Sequence, residues 1–204
     1  MIVLGYDPGT ATGALAAAAW EAHRPRYLTS SSWVPLPGDL AATLGSIAEW
    51  LESRWVRLPG ATPVDLMAIE DQRFSRLPGA LKGRTSAAAV GPLMAQSVAM
   101  AWAARHGIQV VLVQPMSARK VSVGRASGFR CPVKLPPQVV ARAKRAHVER
   151  LYAIQERAIC AMIKDCPPGL TDHEYAAISV AMAGKWKLAK LTAADKAIGR
   201  RLVG

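Results

Sequence analysis

The 204-residue chain predicts an α/β protein: a mixed five-stranded sheet covered by helices on both faces. Two observations predict it. Short apolar runs rich in β-branched residues end in turn-forming or acidic residues, as strands do, while longer stretches repeat their apolar residues at helical spacing. Three extended segments come first, and strand and helix then alternate, which adds parallel strands to an antiparallel start.

Residues 2–4 are apolar and β-branched, residues 5–13 are turn-rich, and residues 14–20 are apolar again, giving strand, turn and strand. A third extended piece at residues 27–34 completes an antiparallel meander, stopped by Pro35, Pro37 and Gly38. Asp39 then caps a helix in which Leu40, Leu44, Ile47, Trp50 and Leu51 form the apolar face, and Pro59-Gly60 marks the turn after it. Residues 64–70, between Pro63 and Asp71-Gln72-Arg73, read as a buried central strand with an acid at its tip.

Residues 87–104 carry no charge and lie between Arg84 and Arg105, so a membrane span has to be considered. Their apolar content is mostly alanine, and Gly91, Pro92, Gln96 and Ser97 argue instead for a buried or subunit-facing helix. His106-Gly107 stops it, and residues 108–113 form a valine-rich fifth strand. Residues 116–137, which include Lys120, Arg125, Arg130 and Lys134, predict a mobile basic loop. A long helix follows over 138–163, then a break at 166–169, then a last apolar helix over 172–184 opened by acids. We read one domain over 1–184 and a basic tail over 185–204, the tail being either a solvated end or a phosphate-contacting arm.

Lys and Arg outnumber Asp and Glu by 26 to 14, a formal net charge of +12, so a polyanion is the natural partner unless the charge serves solubility alone. Cys131, Cys160 and Cys166 cannot all pair within one chain and lack zinc-site spacing, which implies a reducing compartment. The N-terminus has neither the charged start nor the cleavage region of a signal peptide, so the expected location is cytoplasmic.

Candidate chemistry sits at element ends. Asp7 closes the first strand, Glu70 closes the central strand, and Asp172, His173 and Glu174 open the last helix. Ionised carboxylates near a core need partners such as a metal, and two-metal phosphodiester cleavage needs acids from distant parts of the chain converging on ions about 4 Å apart.

The segment GYDPGTATGALA, with Asp7, Pro8, Gly9, Thr12 and Gly13, resembles the opening of the RuvC family of Holliday-junction resolvases. DLMAIEDQRF is similar to that family's second acidic strand and places a ligand at Glu70; HGIQVVLVQPMSARKVSVGR and DHEYAAISVAMA resemble its next strand with the following loop and its last catalytic helix. The resemblance covers most of the chain. It implies an RNase H-like fold, a homodimer, cleavage of four-way DNA junctions, and Mg²⁺ or Mn²⁺, two ions per site, held by Asp7, Glu70 and His173.

One position departs from the family. Family members carry an acid or histidine and, three residues on, an aspartate; here these places fall on His173 and Ala176. Either cleavage is silenced, or Asp172 or Glu174 supplies the ligand, or the protein binds junctions without cutting. Arg73, Phe74, Arg76, Lys82 and Arg84, just after Glu70, are expected to contact DNA; the place of the family's aromatic junction wedge, three residues after the glutamate, falls on Arg73, and the wedge role is assigned to Phe74, one residue later. Lys120, Lys144 and Arg145 are the basic candidates nearest the metals in the family-like layout. The DPGTATG segment also resembles the first phosphate loop of actin-like ATPases and sugar kinases, but those need two such domains and a second Asp-x-Gly loop, which 204 residues lack.

Overall fold

The computed structural model describes residues 1–9, 12–21, 24–34, 39–55, 63–72, 87–123 and 136–202. Its elements are β1 (Ile2–Asp7), β2 (Gly13–Glu21), β3 (Arg24–Trp33), α1 (Leu40–Trp55), β4 (Leu66–Glu70), α2 (Ala87–Arg105), β5 (Gln109–Val113), α3 (Pro115–Val123), α4 (Pro137–Met162) and α5 (Asp172–Leu202). The five strands form one sheet in the order β3-β2-β1-β4-β5. β1 pairs antiparallel with β2 and parallel with β4, which pairs parallel with β5. This is the mixed α/β sheet the sequence predicts.

Alternation along the strands sorts the core into two faces. Leu4, Tyr6, Leu15, Met67 and Ile69 point to one side and pack with Ile47 and Leu51 of α1 and Ala95, Ala99 and Trp102 of α2. The two helices are joined at their outer edge, where the Trp102 indole N–H donates to Glu52 Oε2 at 2.7 Å and His106 Nε2 lies 2.9 Å from the same oxygen. The opposite side presents Val3, Leu66 and Ala68 to Val180 and Ala181, and Ala14 and Ala16 to Ala177 and Ile178, all on α5.

α5 comes close to the sheet because both partners are small. A side chain at Gly5 would run into the Ala177 carbonyl and the Ala181 amide, and one at Gly184 would run into Ala68. Backbone therefore meets backbone near Gly5, which fixes the start of α5 against the end of β1.

The boundaries differ from the sequence expectation in three places. Residues 115–123 are helix rather than loop, begun by Pro115, whose fixed φ suits a first helical turn; residues 124–135 lie outside the described residues. α5 continues to Leu202 instead of ending at Gly184, so the boundary drawn between domain and tail falls inside a helix. Good helix formers such as Lys, Leu and Ala, with no proline, carry it on. The strands β1, β2 and β3 are each longer than expected. Asp39 caps α1 as predicted, its Oδ1 accepting from the Ala42 amide at 2.8 Å. No helix among the described residues is long and apolar enough to cross a membrane. Cys160 and Cys166 are free thiols, and Cys131 lies outside the described residues.

Candidate active site

Asp7 and Glu70 are the last residues of two adjacent parallel strands, so both carboxylates leave the sheet at the same end. Parity decides the face: Asp7 follows Val3 and Gly5, Glu70 follows Leu66 and Ala68, and both sets face α5. The two acids meet. The Glu70 carboxyl is pushed up to about 8, first by burial, then by the charge of Asp7 and a hydrogen bond with it. The Gln72 side chain, whose Nε2 donates to Glu70 Oε2 at 3.1 Å, and the positive charge of Arg119 act in the other direction.

The third component comes from α5. His173 Nδ1 lies 2.8 Å from Asp7 Oδ2, and its Nε2 lies 2.7 Å from Thr12 Oγ1. In the neutral tautomer protonated at Nδ1, the imidazole donates to Asp7 and accepts from the Thr12 hydroxyl. The hydrogen bond to Asp7 raises the pKa of His173; partial burial opposes this, and the charges of Asp7, Asp172 and Glu70 add to it. Asp172 accepts from the His173 amide at 3.0 Å and hydrogen-bonds Tyr152 of α4. Burial, followed by that Asp172 contact, raises the Tyr152 phenol above its ordinary value.

Asp7, Glu70, Tyr152, Asp172 and His173 line a cleft of about 190 Å³ that is completed by Ala118 and Arg119 of α3, Gln155 of α4, and Ala176 and Ser179 of α5. Ala176 sits one turn beyond Asp172 and His173, on the same helix face, so a carboxylate there would enter the cleft.

Glu174 is a different matter. The sequence offers it as a ligand, but its carboxylate turns away to β3 and its own helix start, accepting from Ser30 Oγ at 2.7 Å, the Thr171 amide at 2.9 Å and Thr171 Oγ1 at 2.9 Å. Thr171 Oγ1 in turn accepts from the Glu174 amide at 3.2 Å, closing a capping box. Burial would raise the Glu174 pKa, but these hydrogen bonds outweigh it and hold the group below its ordinary value. The Thr-x-x-Glu spacing carried that signal in the sequence.

The basic candidates divide similarly. Lys120 lies on the side of α3 away from the carboxylates, where it lines another recess; its neighbour Arg119 faces the cleft, because consecutive helical residues point about 100° apart. Arg145 is exposed on α4 and does not line the cleft, and Lys144 is placed only as part of that helix. Arg73, Phe74, Arg76, Lys82 and Arg84 lie outside the described residues. Sequence reasoning missed Arg119, Tyr152 and Gln155, whose roles depend on how α3 and α4 turn toward the strand ends, and Gln72, which turns back onto Glu70 two residues past the end of β4.

Among the described residues no three His, Cys, Asp or Glu side chains form a finished ligand set, and both ring nitrogens of His173 are engaged, by Asp7 and by Thr12. The donor chemistry nevertheless fits a hard divalent cation. Two converging carboxylates, one of them holding its proton to about pH 8, leave an oxygen-rich place where a cation would substitute for the proton and relieve the repulsion.

No family model matches the chain, and no curated protein matches it significantly in sequence. Comparison of structures does give matches. The sheet order, its mixed direction and the helices on both faces place the chain in the RNase H-like α/β class. Within that class its fold is RuvC-like. Thermus thermophilus RuvC in complex with a Holliday junction substrate matches with a TM-score of 0.63 at 17% identity, over 90% of this chain and 92% of that one. A second T. thermophilus RuvC structure matches with a TM-score of 0.58 at 18% identity, again over 90% and 92%. At such identities the likeness is one of fold.

Proposed function

We propose that the chain is a metal-dependent endonuclease that resolves four-way DNA junctions. The observation carrying this reading is the convergence of Asp7 and Glu70 on neighbouring strand ends, with His173 bonded to Asp7. Asp7 and Glu70 would hold Mg²⁺ or Mn²⁺, two ions per site, with His173 or Asp172 completing the set. Bound divalent ions supply an activated water and stabilise charge on the phosphate. The chain's own residues do the rest. Glu70 gives up its proton as the site fills, His173 orients Asp7 and can hold a proton at Nδ1, and Arg119 places positive charge beside the scissile phosphate. Attack of water on phosphorus forms a new P–O bond and breaks the bond to the 3′ oxygen, leaving a 3′ hydroxyl and a 5′ phosphate.

Paired cuts in a four-way junction need two sites, hence a homodimer. The exposed apolar stripe of Val90, Leu93 and Met100 on α2 supports that helix as the interface. The net charge of +12 supports a polyanionic partner. Ala176 favours a second reading, in which the protein binds junctions but does not cut them.

A labelled four-way junction with Mn²⁺ separates the two. Paired nicks establish cleavage, and a shifted band without product establishes binding alone. If the chain cuts, Ala176→Asp is expected to raise the rate by about tenfold or more, the size of effect that groups supporting a metal site have; if it only binds, the same substitution should bring cutting out. An unchanged rate would remove Ala176 from the metal site.

A further inference from the structure

Across α3 from the carboxylates lies a larger recess of about 520 Å³. Its inner wall includes Val113, the register partner of Glu70 in β5, so the recess begins one strand, about 4.8 Å, from the candidate active site. α3 divides the two: Ala118 and Arg119 face the cleft, and Ser117 and Lys120 face the recess. Lys187 and Lys190 of α5 add two further cations, and among the described residues no acid lines it. Lys187 is held at the strand end, its Nζ donating to the Leu112 carbonyl at 2.8 Å.

The rim also carries Trp186, which is 51% exposed, whereas Trp33 and Trp102 are buried in the core. An indole left half in water beside three lysines gives nothing to the core; it offers a flat apolar face for stacking next to anion-binding groups.

We propose that this recess is a nucleotide-binding subsite, where a base of the DNA strand leaving the carboxylate cleft stacks on Trp186 while Lys120 and Lys190 hold the flanking phosphates. The inference rests on the endonuclease reading above and extends it. A strand fits better than a free nucleotide because one face of α5 lines both, Ala176 and Ser179 in the cleft and Ala183, Trp186 and Lys190 in the recess, with Ala176 and Trp186 ten residues or roughly 15 Å apart. Stacking and phosphate contacts would make the subsite indifferent to sequence.

The test is binding by the full chain to a fluorescein-labelled oligothymidylate and to a four-way junction, in EDTA so that nothing is cut. Trp186→Ala should weaken both complexes roughly tenfold, while Trp186→Phe should retain most of the affinity. The double variant Lys120→Ala/Lys190→Ala should flatten the slope of log affinity against log salt by about 1.4 to 1.8. Unchanged affinity for Trp186→Ala at an unchanged Tm overturns the proposal. So does conversion of a dimer to monomers by that variant in sedimentation velocity, which would make a second copy of the chain the occupant. Failure of the underlying reading looks different: the wild-type chain would bind neither probe, or would bind the junction no better than a linear duplex.

Discussion

On the α1/α2 side of the sheet the strands present Leu4, Tyr6, Leu15, Met67 and Ile69, while on the α5 side Leu66 is set among smaller residues, Val3, Gly5, Ala14, Ala16 and Ala68. The first face buries large side chains and gains from apolar area, at about 25 cal/mol per Å². The second buries little per residue but lets a helix backbone lie directly on the sheet. That closeness brings His173 within hydrogen-bond distance of Asp7. Stability and site geometry are thus assigned to opposite sides of the same strands.

The comparison can be broken from either side. Leu4→Ala, on the large-residue face, should cost about 2–5 kcal/mol of stability while leaving Mn²⁺ affinity unchanged below the melting temperature, as denaturant unfolding and calorimetric titration would show. If Mn²⁺ affinity fell as well, the two faces would not be separable. Gly5→Ala, on the other face, should cost a comparable amount, about 3 kcal/mol or more, because the new Cβ would overlap backbone atoms of α5 that no side-chain rotation can move aside. Its loss of Mn²⁺ affinity should be the larger of the two, since α5 must retreat and take His173 with it.

The smallest effect concerns Glu70. Its folded-state pKa of about 8 lies above the ordinary carboxyl value of about 4.3, so the folded chain binds the proton more tightly than the unfolded one. The metal-free protein should therefore lose stability as pH rises from about 4.3 through about 8. Glu70→Gln should raise Tm by a few degrees at pH 9 and by little at pH 5. Mn²⁺ affinity of the wild type should increase over the same interval, because the cation displaces that proton. An equal Tm gain at both pH values would show that the Glu70 carboxyl is not held protonated by its surroundings.

Much of this arrangement was readable in residue order. The meander, the alternation that follows it and the acids closing β1 and β4 came from apolar runs ending at Asp7 and Glu70, since strand periodicity is a local property. The short helix α3 was not, because nine residues give only about two and a half turns of periodicity to read, and the helix is held by packing against α4 and α5. Three polar residues in a row at the start of α5 left open which would face the cleft. Two do, and Glu174 is taken by Thr171 and Ser30.

By itself, then, the sequence determined most of the strands and helices, α3 and the far part of α5 excepted, and placed the acids at strand ends, because backbone propensity and side-chain alternation act over a few residues. Only the tertiary structure decided that Arg119 rather than Lys120 faces those acids, that His173 reaches Asp7 across 166 positions of chain, and that Trp186 stands at the rim of a basic recess. Those outcomes depend on how far and at what angle each helix settles on the sheet, and that is set by the bulk of residues such as Gly5, Ala68 and Gly184, which are distant in sequence and meet only in the fold.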